Sequence, residues 1–445
     1  MNKLLGGLGA AFLSTATGAA MAGSAPPASF EQALQQAVAN RTELAIEREK
    51  IRAADGRVGE MAANFKPTVA LTSTVEHVHR YDPFSGVTAS TNIGGQPVSV
   101  DVAANPPRYQ GRLGVEVAYN LYKGGADRAR LEEARQLARA AQAQYALETK
   151  KVMADAAAAC AAWMKAALVQ RQRARAVEMA TLEAAQLQQR LAAGNASALD
   201  AKEADIRLKS GQIDLKAAAR ALREAQRKYC SALNTECAAP DAELAAPELN
   251  LRMPDMTALY SRFGVGGNPD AVKAEASTQA ARQRIALARA SYAPVVDLYY
   301  SLSNHGYSNE GFGDARSGFK REQSAVGVRL TWTLFDGFRS ASYLQQEVAA
   351  TEQMRLRQTM VGGETASRQV AAQEELAGLE EQLTLEKMQL ELAQSKQAIG
   401  AQRLRLKLIS DLDQARLAFA VDAQENRIAS LTLDVTASKL KLALQ

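Results

Sequence analysis

The sequence predicts a mainly α-helical protein that also contains membrane-type β-strands and consists of two copies of one structural unit. Three observations lead to this fold class: long proline-free stretches rich in alanine, glutamine, leucine and glutamate, short segments in which apolar and polar residues alternate, and the recurrence of both patterns in each half of the chain. Aromatic residues make up only 5% of the 445 residues, which is typical of long helices and not of several compact cores.

Residues 1–22 have the pattern of a signal peptide. Lys3 precedes a mostly apolar run, and small residues lead up to Ala22 in an A-x-A cleavage pattern. The run is too short to span a bilayer, and we expect no transmembrane helix in the mature chain because no later stretch offers about 20 uncharged apolar residues. Export would deliver the protein to the periplasm, the outer membrane or the exterior.

Charge and cysteine content narrow the functional classes. The 53 basic and 48 acidic side chains are interspersed, so no basic block suggests a nucleic-acid partner. Three cysteines are too few for a disulfide scaffold. Cys230 and Cys237 flank a predicted helix end and are either bridged in an oxidising compartment or packed as small apolar residues. Cys160 is expected to be buried on a helix.

Segments that join helices to strands occur twice in the chain. Residues 64–71 resemble residues 291–298, and each segment places a proline where a helical pattern stops and a strand pattern starts. Residues 114–125 resemble residues 327–338, and each of these strands ends at a glycine turn before a long helix. The pairs indicate an internal duplication.

The duplication defines the predicted domains. A first repeat covers residues 29–234, a linker covers 235–253, and a second repeat covers 254–444. Each repeat is predicted to run in the order helix, strand, loop, strand, very long helix, turn and long helix. Gly194 and Gly400 each interrupt a long helical pattern and are the first candidates for the two turns.

Four segments alternate as barrel strands do, with apolar residues on one face. The apolar positions are Val69, Leu71 and Val75 in the first strand, Leu113, Val115, Val117, Tyr119 and Leu121 in the second, Val296, Leu298, Tyr300 and Leu302 in the third, and Val326, Val328, Leu330, Trp332 and Leu334 in the fourth. A soluble half-buried sheet is the alternative, but the neighbouring helices are much too long to cover a small sheet. Four strands cannot close a barrel, so the chain must oligomerise, and an open pore favours more than two subunits.

The helices following the second and fourth strands are predicted to be exceptionally long. Residues 125–190 contain no proline, and a helix of that length would extend about 100 Å. Small and apolar residues recur in it at coiled-coil spacing. In the second repeat, Gly362 and Gly363 interrupt the pattern and are expected to weaken or kink the helix.

The stretch 191–200, Leu-Ala-Ala-Gly-Asn-Ala-Ser-Ala-Leu-Asp, resembles the helix-turn-helix signature of the TolC-type outer-membrane factors, which are exit ducts of efflux and type I secretion machines. The resemblance covers essentially the whole mature chain. It implies a homotrimer in outer-membrane lipid, with four strands per protomer forming a 12-stranded β-barrel that continues into a long coiled-coil α-helical tunnel in the periplasm. It also implies passive transport without a cofactor, a periplasmic adaptor as partner, and an inner-membrane ABC or proton-driven pump.

The resemblance also assigns site residues. Gly194, Ser197 and Asp200 mark the periplasmic tip of the first repeat and its adaptor contact. In the second repeat the tip is assigned to Gly400, although the absence of a serine before Ser410 favours a turn nearer that residue. Family tunnels are narrowed by acidic residues near the tip, which makes Asp411 and Asp413 the candidate acidic gate. The alternative for Asp411 is a helix cap or a solvent-facing residue.

Other functional classes fit less well. A periplasmic adaptor (membrane fusion) protein would also contain coiled-coil hairpins, but it would carry one hairpin flanked by soluble β-domains. An enzyme is not indicated, because His77, His79 and His305 follow strand patterns without a further cluster of metal ligands. The glycine run 264–267 lacks the Lys-Ser/Thr of a phosphate loop. Small-molecule efflux and protein secretion are both compatible with the sequence.

Overall fold

The computed structural model describes residues 29–79, 87–102, 108–236, 254–263, 266–308, 310–317 and 321–444. The predicted signal peptide and residues 237–253 of the predicted linker lie outside these ranges. The chain forms two compact units. The first contains Met1–Ala45, Glu148–Gly266 and Ser367–Gln445, and the second contains Ile46–Leu147 and Gly267–Ala366.

Helices dominate the described residues, and strands occur only in the second unit. The helices are α1 (Phe30–Asn40), α2 (Thr42–Ala63), α3 (Ala126–Ala192), α4 (Ala198–Leu233), α5 (Met256–Phe263), α6 (Pro269–Ala290), α7 (Phe312–Ser317), α8 (Arg339–Arg405) and α9 (Asp411–Leu444). The strands are β1 (Thr68–His77), β2 (Val87–Ile93), β3 (Gln96–Val102), β4 (Tyr109–Lys123), β5 (Val295–Ser308) and β6 (Arg321–Thr331).

The main sheet has four antiparallel strands in the order β1-β4-β5-β6. The central β4–β5 pair joins a strand of the first predicted repeat to a strand of the second. The register aligns apolar residues across all four strands, for example Val69, Val117, Tyr300 and Val326 in one row. This face is exposed in the single chain, with Val69 at 71% and Val326 at 75% of full exposure.

The opposite face of the sheet is polar, as the alternation predicts. Asn120 Nδ2 donates to Asp297 Oδ1 at 2.6 Å across β4 and β5. Tyr299 lies over Gly327, where a Cβ atom would approach the tyrosine hydroxyl to 2.8 Å. The Arg329 guanidinium lies 5.1 Å from the centre of the same ring. One face of the sheet is therefore apolar and exposed, and the other is polar.

The structure adds two elements that the sequence analysis treated as loop. Strands β2 and β3 form a hairpin around Gly94 and Gly95, which have φ angles of 64° and 81°. Helix α7 connects β5 to β6, and its Phe312 ring packs against Tyr109 with centroids 4.8 Å apart.

The fourth strand is shorter than predicted. It ends at Thr331, opposite the first residue of β5, so residues after Thr331 have no ladder partner on that strand. The Trp332 indole nitrogen instead donates to the Tyr292 carbonyl at 3.1 Å. The predicted strand residues Trp332 and Leu334 are therefore part of the turn that leads to α8.

The two longest helices have 67 residues each. Helix α3 confirms the predicted proline-free helix. Helix α8 continues through Gly362 and Gly363, so the two glycines do not end the helix. Both glycines are exposed, and a Cβ added at either position would meet no atom within 4 Å. Each glycine destabilises the helix by roughly 1 kcal/mol relative to alanine but does not end it.

No run of about 20 uncharged apolar residues follows the signal peptide, but α3 is apolar enough to cross a membrane by length and composition alone. Among the described residues, this helix contains an 18-residue window with a mean hydropathy of 1.5. Alanine clusters produce this value, and 56% of the window is buried inside the protein. Such burial is typical of a core helix.

Aromatic and small residues form the core of the first unit. The Trp163 and Tyr229 rings stack with centroids 5.1 Å apart. Cys160 is free and buried, as predicted, and burial raises the pKa of its thiol to about 12. Cys230 is disulfide-bonded. Cys237 lies outside the described residues.

The glycine turns predicted after β4 and β6 adopt the same backbone conformation. Gly124 and Gly125 have φ angles of 62° and 84°, and the equivalent Gly337 and Phe338 have 68° and 65°. A Cβ at Gly124 would lie 2.5 Å from Ala293 Cβ, whereas a Cβ at Gly125 would meet no atom within 4 Å. Gly124 is thus constrained by both conformation and packing.

We expect Gly124→Ala to destabilise the protein more than Gly125→Ala. Both variants place a Cβ in the left-handed region, at roughly 1–2 kcal/mol. Only Gly124→Ala adds a clash, with Ala293 and with the carbonyl of Ala290 at the end of α6, at about 1–3 kcal/mol. Thermal unfolding followed by circular dichroism in detergent would measure the difference. Equal losses for the two variants would show that the close contact with Ala293 is unimportant.

Candidate functional site

The first turn, defined as residues 193–197, joins α3 to α4 and reverses the chain at Gly194. Gly194 has a φ of 73°. Its N–H donates to the Leu191 carbonyl at 3.0 Å, and the Asn195 N–H donates to the Arg190 carbonyl at 2.7 Å. This pair of bonds is the Schellman motif, in which a left-handed residue closes the end of a helix.

Ser197 and Asp200 close the start of α4. The Ser197 hydroxyl accepts from the N–H groups of Leu199 and Asp200 at 3.0 and 3.4 Å, and the Asp200 carboxylate accepts from the Ser197 N–H at 3.4 Å. These reciprocal bonds form a capping box. The three tip residues predicted for the first repeat therefore lie together in one rigid turn.

The second turn, defined as residues 406–410, joins α8 to α9 and has the same construction. Lys407 has a φ of 55°, and its N–H donates to the Leu404 carbonyl at 2.8 Å. The Ser410 hydroxyl accepts from the Asp413 N–H, and the Asp413 carboxylate accepts from the Ser410 N–H, both at 3.2 Å. The chain therefore reverses next to Ser410, the alternative that the sequence left open.

The two turns correspond residue for residue. Aligning Ser197 with Ser410 places Lys407 opposite Gly194, and both segments read Arg-Leu at their start and Ser-x-Leu-Asp at their end. A search for glycine misses this match, because the left-handed position of the second turn is a lysine. The Ser-x-Leu-Asp pattern is the sequence signal that could have located the second turn.

Gly400 lies inside α8, before the second turn. It is buried, and a Cβ there would clash with Leu417 and Gln414 of α9. The residue lets α8 and α9 approach closely and does not reverse the chain.

The two candidate gate residues differ in their surroundings. The Asp413 carboxylate takes part in the capping box and lies 3.6 Å from Arg416. Hydrogen bonds from the Ser410 side chain and backbone lower the pKa of Asp413 below its ordinary value. Asp411 is exposed and, among the described residues, forms no ion pair. It lines a cavity of about 660 Å³ together with Gln186 and Gln189 of α3.

Exposed leucines and basic residues distinguish the second turn chemically from the first. Leu406 and Leu408 are 69% and 68% exposed. Arg405 and Lys407 are exposed beside them. The first turn contains small neutral residues at the equivalent positions.

An exposed antiparallel sheet with one apolar face is joined to 67-residue helices that reverse at capped turns. This is the arrangement that the resemblance to the TolC-type outer-membrane factors implies. Residues 266–444 match the family model described as outer membrane efflux protein. No curated protein matches the chain.

Solved structures share the fold over nearly the whole chain. The outer membrane protein VceC from Vibrio cholerae has 17% identity and a TM-score of 0.71, with coverage of 93% of this chain and 94% of its own. The CmeC outer membrane channel of Campylobacter jejuni has 13% identity and a TM-score of 0.71, covering 93% and 85%. The MtrE outer membrane channel of Neisseria gonorrhoeae has 17% identity and a TM-score of 0.64, covering 93% and 88%.

These comparisons confirm the resemblance and the fold class that the sequence predicted. The matched family consists of outer-membrane efflux proteins, so the predicted class, a channel and not an enzyme, agrees with it. The predicted location in the outer membrane agrees with that family description as well.

Exchanging the left-handed residues of the two turns should change their local stability in opposite directions. Lys407→Gly should stabilise the second turn by about 1 kcal/mol, because it removes the cost of a side chain at positive φ. Gly194→Lys should destabilise the first turn by a similar amount. Hydrogen–deuterium exchange of peptides from each turn in the full-length protein would measure both effects. A change of the same sign at both turns would contradict their structural equivalence.

Proposed function

We propose that this protein is the outer-membrane exit channel of a tripartite efflux or type I secretion system. The observation that carries the proposal is the sheet of one protomer. Its apolar face is exposed, and each outer strand, β1 or β6, has an edge that pairs with no other described strand. In lipid such edges are costly unless another strand pairs with them.

Further copies of the chain would supply those strands. Joining β6 of one copy to β1 of the next produces a closed barrel with its apolar face toward lipid. Two copies would give a barrel of about 8 strands that side chains fill, whereas three copies give 12 strands and an open lumen. The resemblance to the TolC-type factors also favours the homotrimer.

Transport through such a channel would be passive. An inner-membrane pump, either an ABC transporter or a proton-driven antiporter, would deliver substrate, and the chemistry of that pump would decide between protein secretion and small-molecule efflux. A periplasmic adaptor would dock at the two turns. Gly194, Ser197 and Asp200 would give the first turn a preformed shape, and Gly400 would support the second by close helix packing.

The acidic gate is assigned to the start of α9, with different roles for its two aspartates. Asp411 would project its charge toward the axis, where three-fold symmetry would collect three carboxylates and attract cations. Asp413 would hold the backbone of the gate through its capping box with Ser410. The exposed position of Asp411 supports this division.

The assembly can be tested on protein extracted from outer membranes with detergent. We expect native mass spectrometry to give a mass of three chains and gels to show an oligomer that dissociates only on heating, because closed barrels resist denaturation. A protein released from membranes by alkali as a monomer would contradict the channel and would favour the periplasmic adaptor.

The gate can be tested in planar bilayers with matched variants. Asp411→Ala should weaken block by multivalent cations by about tenfold or more, because it removes three charges from one ring. Asp413→Ala should mainly increase hydrogen exchange at the second turn, since losing the cap costs about 1 kcal/mol. Cation block that is unchanged in Asp411→Ala would contradict the assignment.

A further inference from the structure

Four helices of the first unit contact one another in the order α4-α3-α9-α8. The contacts that define this order are Arg173–Asp214 at 3.4 Å between α3 and α4, Lys165–Asp434 at 2.8 Å between α3 and α9, and Lys439–Glu380 at 2.8 Å between α9 and α8. Each helix runs antiparallel to the next, so α4 is also antiparallel to α8. These two helices occupy the two ends of the order, as β1 and β6 do in the sheet.

Helix α4 carries a row of large apolar residues on the face turned away from α3. Leu199, Ile206 and Ile213 recur at intervals of seven residues, which puts them on one side of the helix. They are 66%, 58% and 64% exposed. Ala204 is buried and precedes Ile206 by two residues, so at about 100° per residue the two side chains point to opposite sides. The row is thus separate from the face that packs within the unit.

Helix α8 carries a matching row near the second turn. Leu385, Leu392, Ile399 and Leu406 also recur at intervals of seven residues, and each is at least 51% exposed. Leu390, two residues before Leu392, is half-buried, so this row also lies away from the packed face of its helix. Both outer helices therefore expose a regular apolar row beside a turn.

Apolar residues at this spacing are the seam with which helices pack into coiled coils. Neither row is covered in a single chain, because the residues of both are more than half exposed. A head-to-tail assembly of identical chains needs two different surfaces that fit each other on every copy. Rows of the same length scale and residue class, on antiparallel helices at opposite ends of the order, meet that requirement.

We propose that the α8 row of one copy packs against the α4 row of the next copy and forms an antiparallel coiled-coil joint beside the turns. The inference rests on the proposed function, because a closed ring of copies brings the outer helices of neighbours together. It adds a second joint between copies to the pairing of β1 with β6. It also assigns the two rows to another copy of this chain and not to the adaptor.

Cysteine cross-linking of the full-length protein in outer membranes would test the joint. Ile213 lies 16 residues after Ser197, and Leu392 lies 15 residues before Lys407, so level turns place these two residues opposite each other. We expect the pair Ile213→Cys and Leu392→Cys, or the pair with Ile399→Cys one heptad further along, to give covalent trimers on mild oxidation. Facing residues of a coiled coil lie close enough for a disulfide.

Gln212→Cys, combined with the same two partners, is the matched control. Gln212 is exposed like Ile213 but lies about 100° away around the helix. We expect it to give about tenfold less covalent oligomer. The wild-type protein should give none, because Cys160 is buried and Cys230 is already disulfide-bonded.

The outcomes separate the two proposals. If the wild-type protein has the mass of three chains and conducts, but neither cysteine pair cross-links more than its Gln212→Cys control, the joint is refuted and the channel stands. The two rows would then be left to another partner, such as the adaptor. If the wild-type protein is a monomer in the membrane, the channel fails and the joint fails with it. Wild-type conductance of the reduced cysteine variants would exclude misfolding.

Discussion

The hydrogen-bonding requirement of the backbone at the edges of the four-stranded sheet is the constraint on which the rest of the structure depends. The chain joins its two predicted repeats through the β4–β5 ladder but leaves β1 and β6 at the edges. In lipid those edges would have to be paired, which is why the proposed channel requires further copies of the chain. A barrel wall in the membrane would also account for the regular alternation of the strands, since one face would meet lipid and the other would meet water.

Much of this fold could be predicted because its strongest signals are periodic. Alternation identified β4 and β5, and the absence of proline identified α3. The hairpin β2–β3 was missed because its strands are short and contain many small polar residues, although Val98, Val100 and Val102 alternate with Ser99 and Asp101. A signal for it was present, however, because a two-residue Gly-Gly connection between extended segments is typical of a tight hairpin turn.

The site was predicted less completely, for reasons that lie in individual residues. Gly194 is a helix-ending glycine and was recognised, whereas Gly400 resembles one in sequence but serves close packing inside α8. No propensity rule would select Lys407 for a left-handed position, because side chains are disfavoured there. The capping box of Ser410 and Asp413 fixes where α9 begins, so the chain has to reverse in the few residues between it and the end of α8.

The divergence of the two turns bears on function because their backbones are the same. Matching Schellman bonds and capping boxes mean that both turns could present a partner with the same rigid shape. Their side chains differ: Asp411 stands where the first repeat has Ala198, and exposed leucines and basic residues flank only the second turn. A gate confined to one repeat would leave the other free to keep its docking geometry while the gate moves. Duplication would then account for the scaffold, and the substitutions at residues 405–411 would account for its specialisation.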